Sequence, residues 1–122
     1  MFFNCFAVGA GGFVGSVFRY LIGLIPVLQK GMLPYQTLLV NVAGAILIGA
    51  IVKYGQIHTE LSPQMILFLK TGICGGFTTF STFALESAGM IQNGSHMTMF
   101  IYAVISVCLC LGGIFLGQAL VR

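Results

Sequence analysis

Apolar residues fall into four long runs separated by short polar links. The first covers about residues 2–28 and is interrupted only by Asn4, Ser16 and Arg19. The second covers about residues 35–54, the third about 62–91 and the fourth about 97–121. A bilayer-spanning helix needs about 20 predominantly apolar residues, so each run predicts one transmembrane helix. Ser62 followed by Pro63 marks the start of the third: serine caps, and proline suits the first helical turn. The links at about residues 29–34, 55–62 and 92–96 are short, so consecutive helices run antiparallel and both termini lie on one side. The first run lacks the basic leader and small-residue cleavage site of a signal peptide and is expected to be a true span.

Composition gives the same answer from another direction. Charged residues make up 6% of the 122-residue chain and apolar residues 58%. A soluble domain carries about 25% charged residues, so water is the wrong solvent for this surface. One all-α integral membrane domain over 1–122 is expected, in the plasma or inner membrane. Five scattered basic residues give a net charge of +3 without a basic stripe, so a nucleic-acid partner has no footprint. Lys53 and Arg122 lie on the side of the termini and Lys30 on the other. That balance gives little orientation bias under the positive-inside rule. It is compatible with insertion in both senses, and so with an antiparallel homodimer. Cys5, Cys74, Cys108 and Cys110 form no metal-ligand spacing with His58 or His96 and read as small hydrophobes. Small residues four apart, Gly11 and Gly15, Ala45 and Gly49, Gly113 and Gly117, let helix backbones approach closely.

The anomaly lies in the third run, where residues 72–83 read GICGGFTTFSTF. Gly75 and Gly76 each weaken a helix by about 1 kcal/mol relative to alanine. Thr78, Thr79, Ser81 and Thr82 can bond to nearby main chain instead of leaving the ladder intact. A break is expected near residues 75–79. Freed carbonyls and amides at membrane depth survive only inside protein or against an aqueous cavity. They and the hydroxyls could line an ion path. Phe80 and Phe83, three apart, share a helix face. Their electropositive edges could stabilise an anion without trapping it.

These motifs, with GGFVGSVFRY at 11–20 and PYQTLLVNVAGAILIG at 34–49, resemble the Fluc (CrcB) fluoride channel family over essentially the whole chain. The resemblance implies an antiparallel dual-topology dimer with two fluoride pores and a central structural sodium ion. It implies that the carbonyls of Gly75 and Thr78 hold that sodium. It implies pore roles for Asn41, Phe80, Phe83, Ser81 and Thr82, and a polar track of Tyr102, Ser106 and Cys110 on the fourth helix. Arg19, Thr37 and Glu86 match further family positions, with vestibule or structural roles. Gln36 departs from the family's usual glycine. Lys70 departs too: it either draws fluoride to a vestibule or snorkels to the interface. Cys110 is a weaker donor than a hydroxyl.

Fluoride holds its water tightly, so a pore must replace hydration with donors that bind weakly enough to release the ion. Asn41 offers two amide donors or, alternatively, glue between helices. Glu86 either pairs with a basic residue or sits at a vestibule. The rival functions are a small dual-topology coupled exporter of the multidrug antiporter type, which resembles a pattern with a carboxylate in the first helix, and a non-conducting assembly subunit. No nucleophile elbow, phosphate loop or metal cluster suggests an enzyme.

Overall fold

The computed structural model describes residues 1–122 as an all-helical chain. The elements are α1 (Phe2–Gly23), α2 (Tyr35–Ile57), a divided third span, and α6 (His96–Leu120). The third span comprises α3 (Pro63–Ile66), a π-helical stretch (Leu67–Cys74), α4 (Gly75–Phe77) and α5 (Phe80–Gln92). Four helical segments, Phe2–Gly23, Tyr35–Ile57, Pro63–Gln92 and His96–Leu120, are long and apolar enough to cross a membrane.

Helix ends follow local chemistry. The first helix stops at Gly23 rather than near residue 28 because Ile25 precedes Pro26 and is pushed out of the helical region. Pro26–Gln29 forms one 3₁₀ turn, and Gln29 Nε2 donates to the freed Gly23 carbonyl at 2.6 Å. The second helix runs past residue 54 to Ile57, and the His58 ring lies over Tyr54 at 4.2 Å between centroids. Ser62 caps the third span as expected, its hydroxyl accepting from the Met65 amide at 3.2 Å.

The break falls within the expected window, but its cause differs. Gly75 is helical (φ −65°, ψ −36°), whereas Thr78 (φ −84°, ψ 160°) and Thr79 (φ −151°, ψ 116°) are extended. The hydroxyl residues, not the paired glycines, carry the interruption. Gly76 has a different purpose: a Cβ there would sit 2.5 Å from the Gly12 carbonyl oxygen. The first half of the third span packs against α1 through such approaches. A Cβ on Gly11 would overlap the Phe68 carbonyl, and one on Gly15 the Ile73 carbonyl. The α2–α6 pair uses the same device, with Gly49 against Ile114 and Gly117 against Ile46. Backbone contact at this range maximises dispersion where lipid supplies no hydrophobic drive.

The core is narrow: Val40, Cys74 and Tyr102 are buried, together with the polar Thr37. Large apolar side chains such as Phe2, Phe13, Phe100 and Phe115 point outward, as expected where the surroundings are acyl chains.

Gly15→Val is expected to cost about 3 kcal/mol, at the upper end of overpacking penalties, because main chain rather than a flexible side chain blocks it. Gly9 has open space around it, so Gly9→Val should stay within about 0.5 kcal/mol of the parent. Reversible unfolding in detergent micelles compares the two.

Candidate functional site

Two extended residues inside a hydrophobic span release main-chain groups that must find partners. The Thr78 amide still reaches the Cys74 carbonyl at 3.0 Å, and its hydroxyl donates to the same oxygen at 2.9 Å. Thr79 is held from another helix. Its amide donates to Asn41 Oδ1 at 2.8 Å, and its carbonyl accepts from Asn41 Nδ2 at 3.1 Å. A primary amide can bond both main-chain groups of one extended residue, because extended backbone turns that residue's own N–H and C=O to the same side, facing the donor and acceptor of the amide. Gly44, one turn along α2, leaves room for the Thr78 methyl.

The break also deprives Gly76 of its usual helical donor. Arg19 Nε donates to the Gly76 carbonyl at 3.0 Å, and Ser16 Oγ lies 3.5 Å from the same oxygen. Arg19 therefore reaches inward to the break. Thr79 Oγ1 then starts α5 as its N-cap, accepting from the Thr82 amide at 3.2 Å and donating to Thr82 Oγ1 at 3.0 Å. The Thr78 carbonyl has no hydrogen-bond donor. Neither the Thr78 nor the Thr79 amide serves Gly75, because both are committed elsewhere.

A second cluster lies behind the first. Glu86 accepts from Thr37 Oγ1 at 2.6 Å and from Tyr102 OH at 2.7 Å. Thr37 is 2% exposed and Tyr102 fully buried, so these neutral hydroxyls stand where a basic partner was one of two expectations. The Tyr102 ring packs tilted against Phe83 at 4.9 Å between centroids, and Phe83 lies 5.6 Å from Phe80. Phe80, Phe83 and Tyr102 thus form a line of rings leading to the carboxylate.

Beside this line opens a groove of about 460 Å³. Asn41, Phe80, Phe83, Ser106 and Cys110 line it, as do Gly75, Thr78 and Lys70. Ser106 Oγ is buried without a hydrogen-bond partner. The groove's unspent neutral donors include this hydroxyl, the second amide hydrogen of Asn41 and, more weakly, the Cys110 thiol. No carboxylate lines the groove, and Lys70 is its one charged residue. A surface of neutral donors and ring edges suits an anion better than a cation.

Other expected site residues lie elsewhere. Ser81 is exposed, with Thr79 Oγ1 3.5 Å from its hydroxyl, and is not part of the groove wall. Arg19 borders a separate cavity of about 350 Å³ together with Ser16 and Gln36. The Gln36 amide fills the space that a Cβ on Gly23 would need. The Ser16 contact to the break was not foreseen. Its signal would have been the orphaned Gly76 carbonyl, which calls for a donor from α1. Asn41 has a narrower capacity than expected, since one of its two amide hydrogens already holds Thr79.

Comparison with known proteins places these features in a family. The description "CrcB-like protein, Camphor Resistance (CrcB)" matches residues 6–118. The "Fluoride-specific ion channel FluC" of Rhizobium meliloti (strain 1021) is 44% identical over 116 residues, covering 94% of this chain and 93% of the relative. The protein of the same name from Shewanella woodyi is 41% identical over 119 residues, 97% of this chain and 95% of the relative. That from Ruminiclostridium cellulolyticum is 42% identical over 120 residues, 98% and 92% of the two chains.

Asn41→Leu removes both bonds to Thr79 and leaves two main-chain groups unpaired. The expected cost is about 2–6 kcal/mol, since each of the two unsatisfied buried groups costs about 1–3 kcal/mol. Hydrogen exchange at the Thr79 amide should accelerate by at least about thirtyfold. Unchanged exchange there would show that Asn41 does not hold the break.

Proposed function

This chain belongs to the CrcB-like protein family, and we propose that it is a multi-pass membrane channel that passes fluoride passively and selectively, relieving the cell of the ion. The observation that carries the reading is the groove beside the broken third span, where neutral donors and phenyl rings stand among aliphatic side chains, with no carboxylate and Lys70 as the one charge. The names of the relatives identify the anion. Membrane channel activity, rather than catalysis, is what those names describe.

The chemistry follows from the residues. A dehydrating fluoride ion needs donors in place of water, and weak enough contacts to leave again. The remaining Asn41 amide hydrogen and the unpartnered Ser106 hydroxyl supply donors. The Phe80 and Phe83 edges fill the interval between them with positive partial charge but no fixed ion pair. Cys110 extends the same wall with a weaker donor. Thr82 and Ser81 belong to the turn that orients α5 and act through it. Tyr102 and Thr37 hold Glu86, whose carboxylate is thereby kept from facing the groove unpartnered. Arg19 serves the break and borders a vestibule.

The groove is open on one side, which supports closure by a second copy in an antiparallel dimer with two pores. Gly75 faces open space, and the Thr78 carbonyl lacks a donor. Four such carbonyls from two protomers fit a hard cation such as sodium, which prefers oxygen ligands. No cluster of three or more His, Cys, Asp or Glu side chains competes for a metal. Sodium there would neutralise the carbonyl dipoles and tie the two breaks together, with no part in the conduction step.

Fluoride efflux from liposomes holding purified protein tests the reading. The parent should discharge a fluoride gradient without any proton gradient. Phe80→Ile and Phe83→Ile should each lower the rate by about tenfold, equivalent to about 1.4 kcal/mol of barrier. Parent-like rates in both would remove the ring-edge mechanism. Replacing sodium by a bulky organic cation should also reduce flux, and full flux in its absence would reject the sodium role.

A further inference from the structure

We propose that Lys70 is an electrostatic collector at the mouth of the groove, raising the local concentration of the permeating anion without binding it. The inference rests on the channel reading above and adds a residue to it. Lys70 is exposed and is the one charged side chain on the groove wall. The π-helical stretch Leu67–Cys74 accounts for that position. Its i→i+5 winding turns the chain more slowly per residue than an α-helix. Gly75, five places on, therefore comes round to the side of Lys70, and both line the groove.

Direction separates a collector from a ligand. Helical side chains lean towards the N-terminus of their helix. The Lys70 ammonium therefore points towards the Pro63 end, away from the carbonyls of Gly75 and Thr78. At about 1.5 Å per residue it starts roughly 10 Å inside the span. Its long stem keeps the ammonium near the hydrated mouth. Glu86 does not pair with it, since both its oxygens accept from the Thr37 and Tyr102 hydroxyls. A charge at the mouth of a groove with low-dielectric walls has its field focused along the groove and raises entry rates, an effect that salt removes.

The test is initial fluoride efflux from liposomes for the parent, Lys70→Arg, Lys70→Gln and Lys70→Glu. Each is measured at ionic strengths of about 0.01 M and about 1 M set by an impermeant salt, between which the screening length falls from about 30 Å to about 3 Å. At low ionic strength Lys70→Gln should be about three- to tenfold slower than the parent, Lys70→Glu slower still, and Lys70→Arg equal to the parent. At high ionic strength all four should converge. A Gln variant equal to the parent at both strengths would overturn the proposal and leave Lys70 as a snorkelling side chain. A Gln variant slowed by the same factor at both would overturn it in favour of a packing role. No efflux from the parent would remove the channel reading, and the collector with it.

Discussion

A residue whose amide and carbonyl leave the helical ladder at membrane depth must find partners for both, and in this chain the partner of Thr79 is Asn41. Two hydrogen bonds, at 2.8 and 3.1 Å, substitute a side-chain amide for the lost helical bonds. Without them the extended residues would expose an amide and a carbonyl in a medium where each costs several kcal/mol. With them the third span can change direction while α1 and α2 grip it from two sides. Arg19 completes the arrangement at Gly76. The glycine contacts along α1 bring the helices close enough for so short a connection.

The same economy shapes the groove. The chain places two charged groups beside the break and spends both on structure: Arg19 on a carbonyl, Glu86 on two hydroxyls. What remains to face an ion beside the break is neutral, and the one charge on the groove wall, Lys70, stands towards its mouth. Fixed charges on a narrow path bind counter-ions tightly and slow their exit, whereas single donors and ring edges compensate dehydration in small steps. The line of rings from Phe80 through Phe83 to Tyr102 links the groove mechanically to the Glu86 cluster. Packing on either side of that line therefore fixes the orientation of the other.

The helices were legible because lipid imposes a simple rule on length and polarity, and 22- to 25-residue spans such as α1 and α6 obey it. The break was legible as a window, since glycine and hydroxyl residues both weaken a helix. Its placement on Thr78 and Thr79 was not, because a glycine's role depends on what approaches it. Gly76 touches α1, and only the packed structure shows that. The π-helical stretch left no mark in the sequence: residues that wind i→i+5 are drawn from those that wind i→i+4, and tertiary packing decides between them. Asn41 stayed ambiguous for a chemical reason, as one amide suits both a peptide and an anion. Glu86 pairs with Thr37 and Tyr102 across three helices, a juxtaposition that spacing along one chain cannot display.

The central claim is that Thr78 and Thr79 are extended within the bilayer and that Asn41 holds them so. Solid-state carbon-13 chemical shifts of the two threonines in lipid bilayers test it most directly. The account predicts strand-like Cα and Cβ shifts at both positions, between helical shifts at Phe77 and Phe80, with the Asn41 side-chain amide in close dipolar contact with Thr79. Helical shifts running unbroken from residue 77 to residue 80 would contradict it.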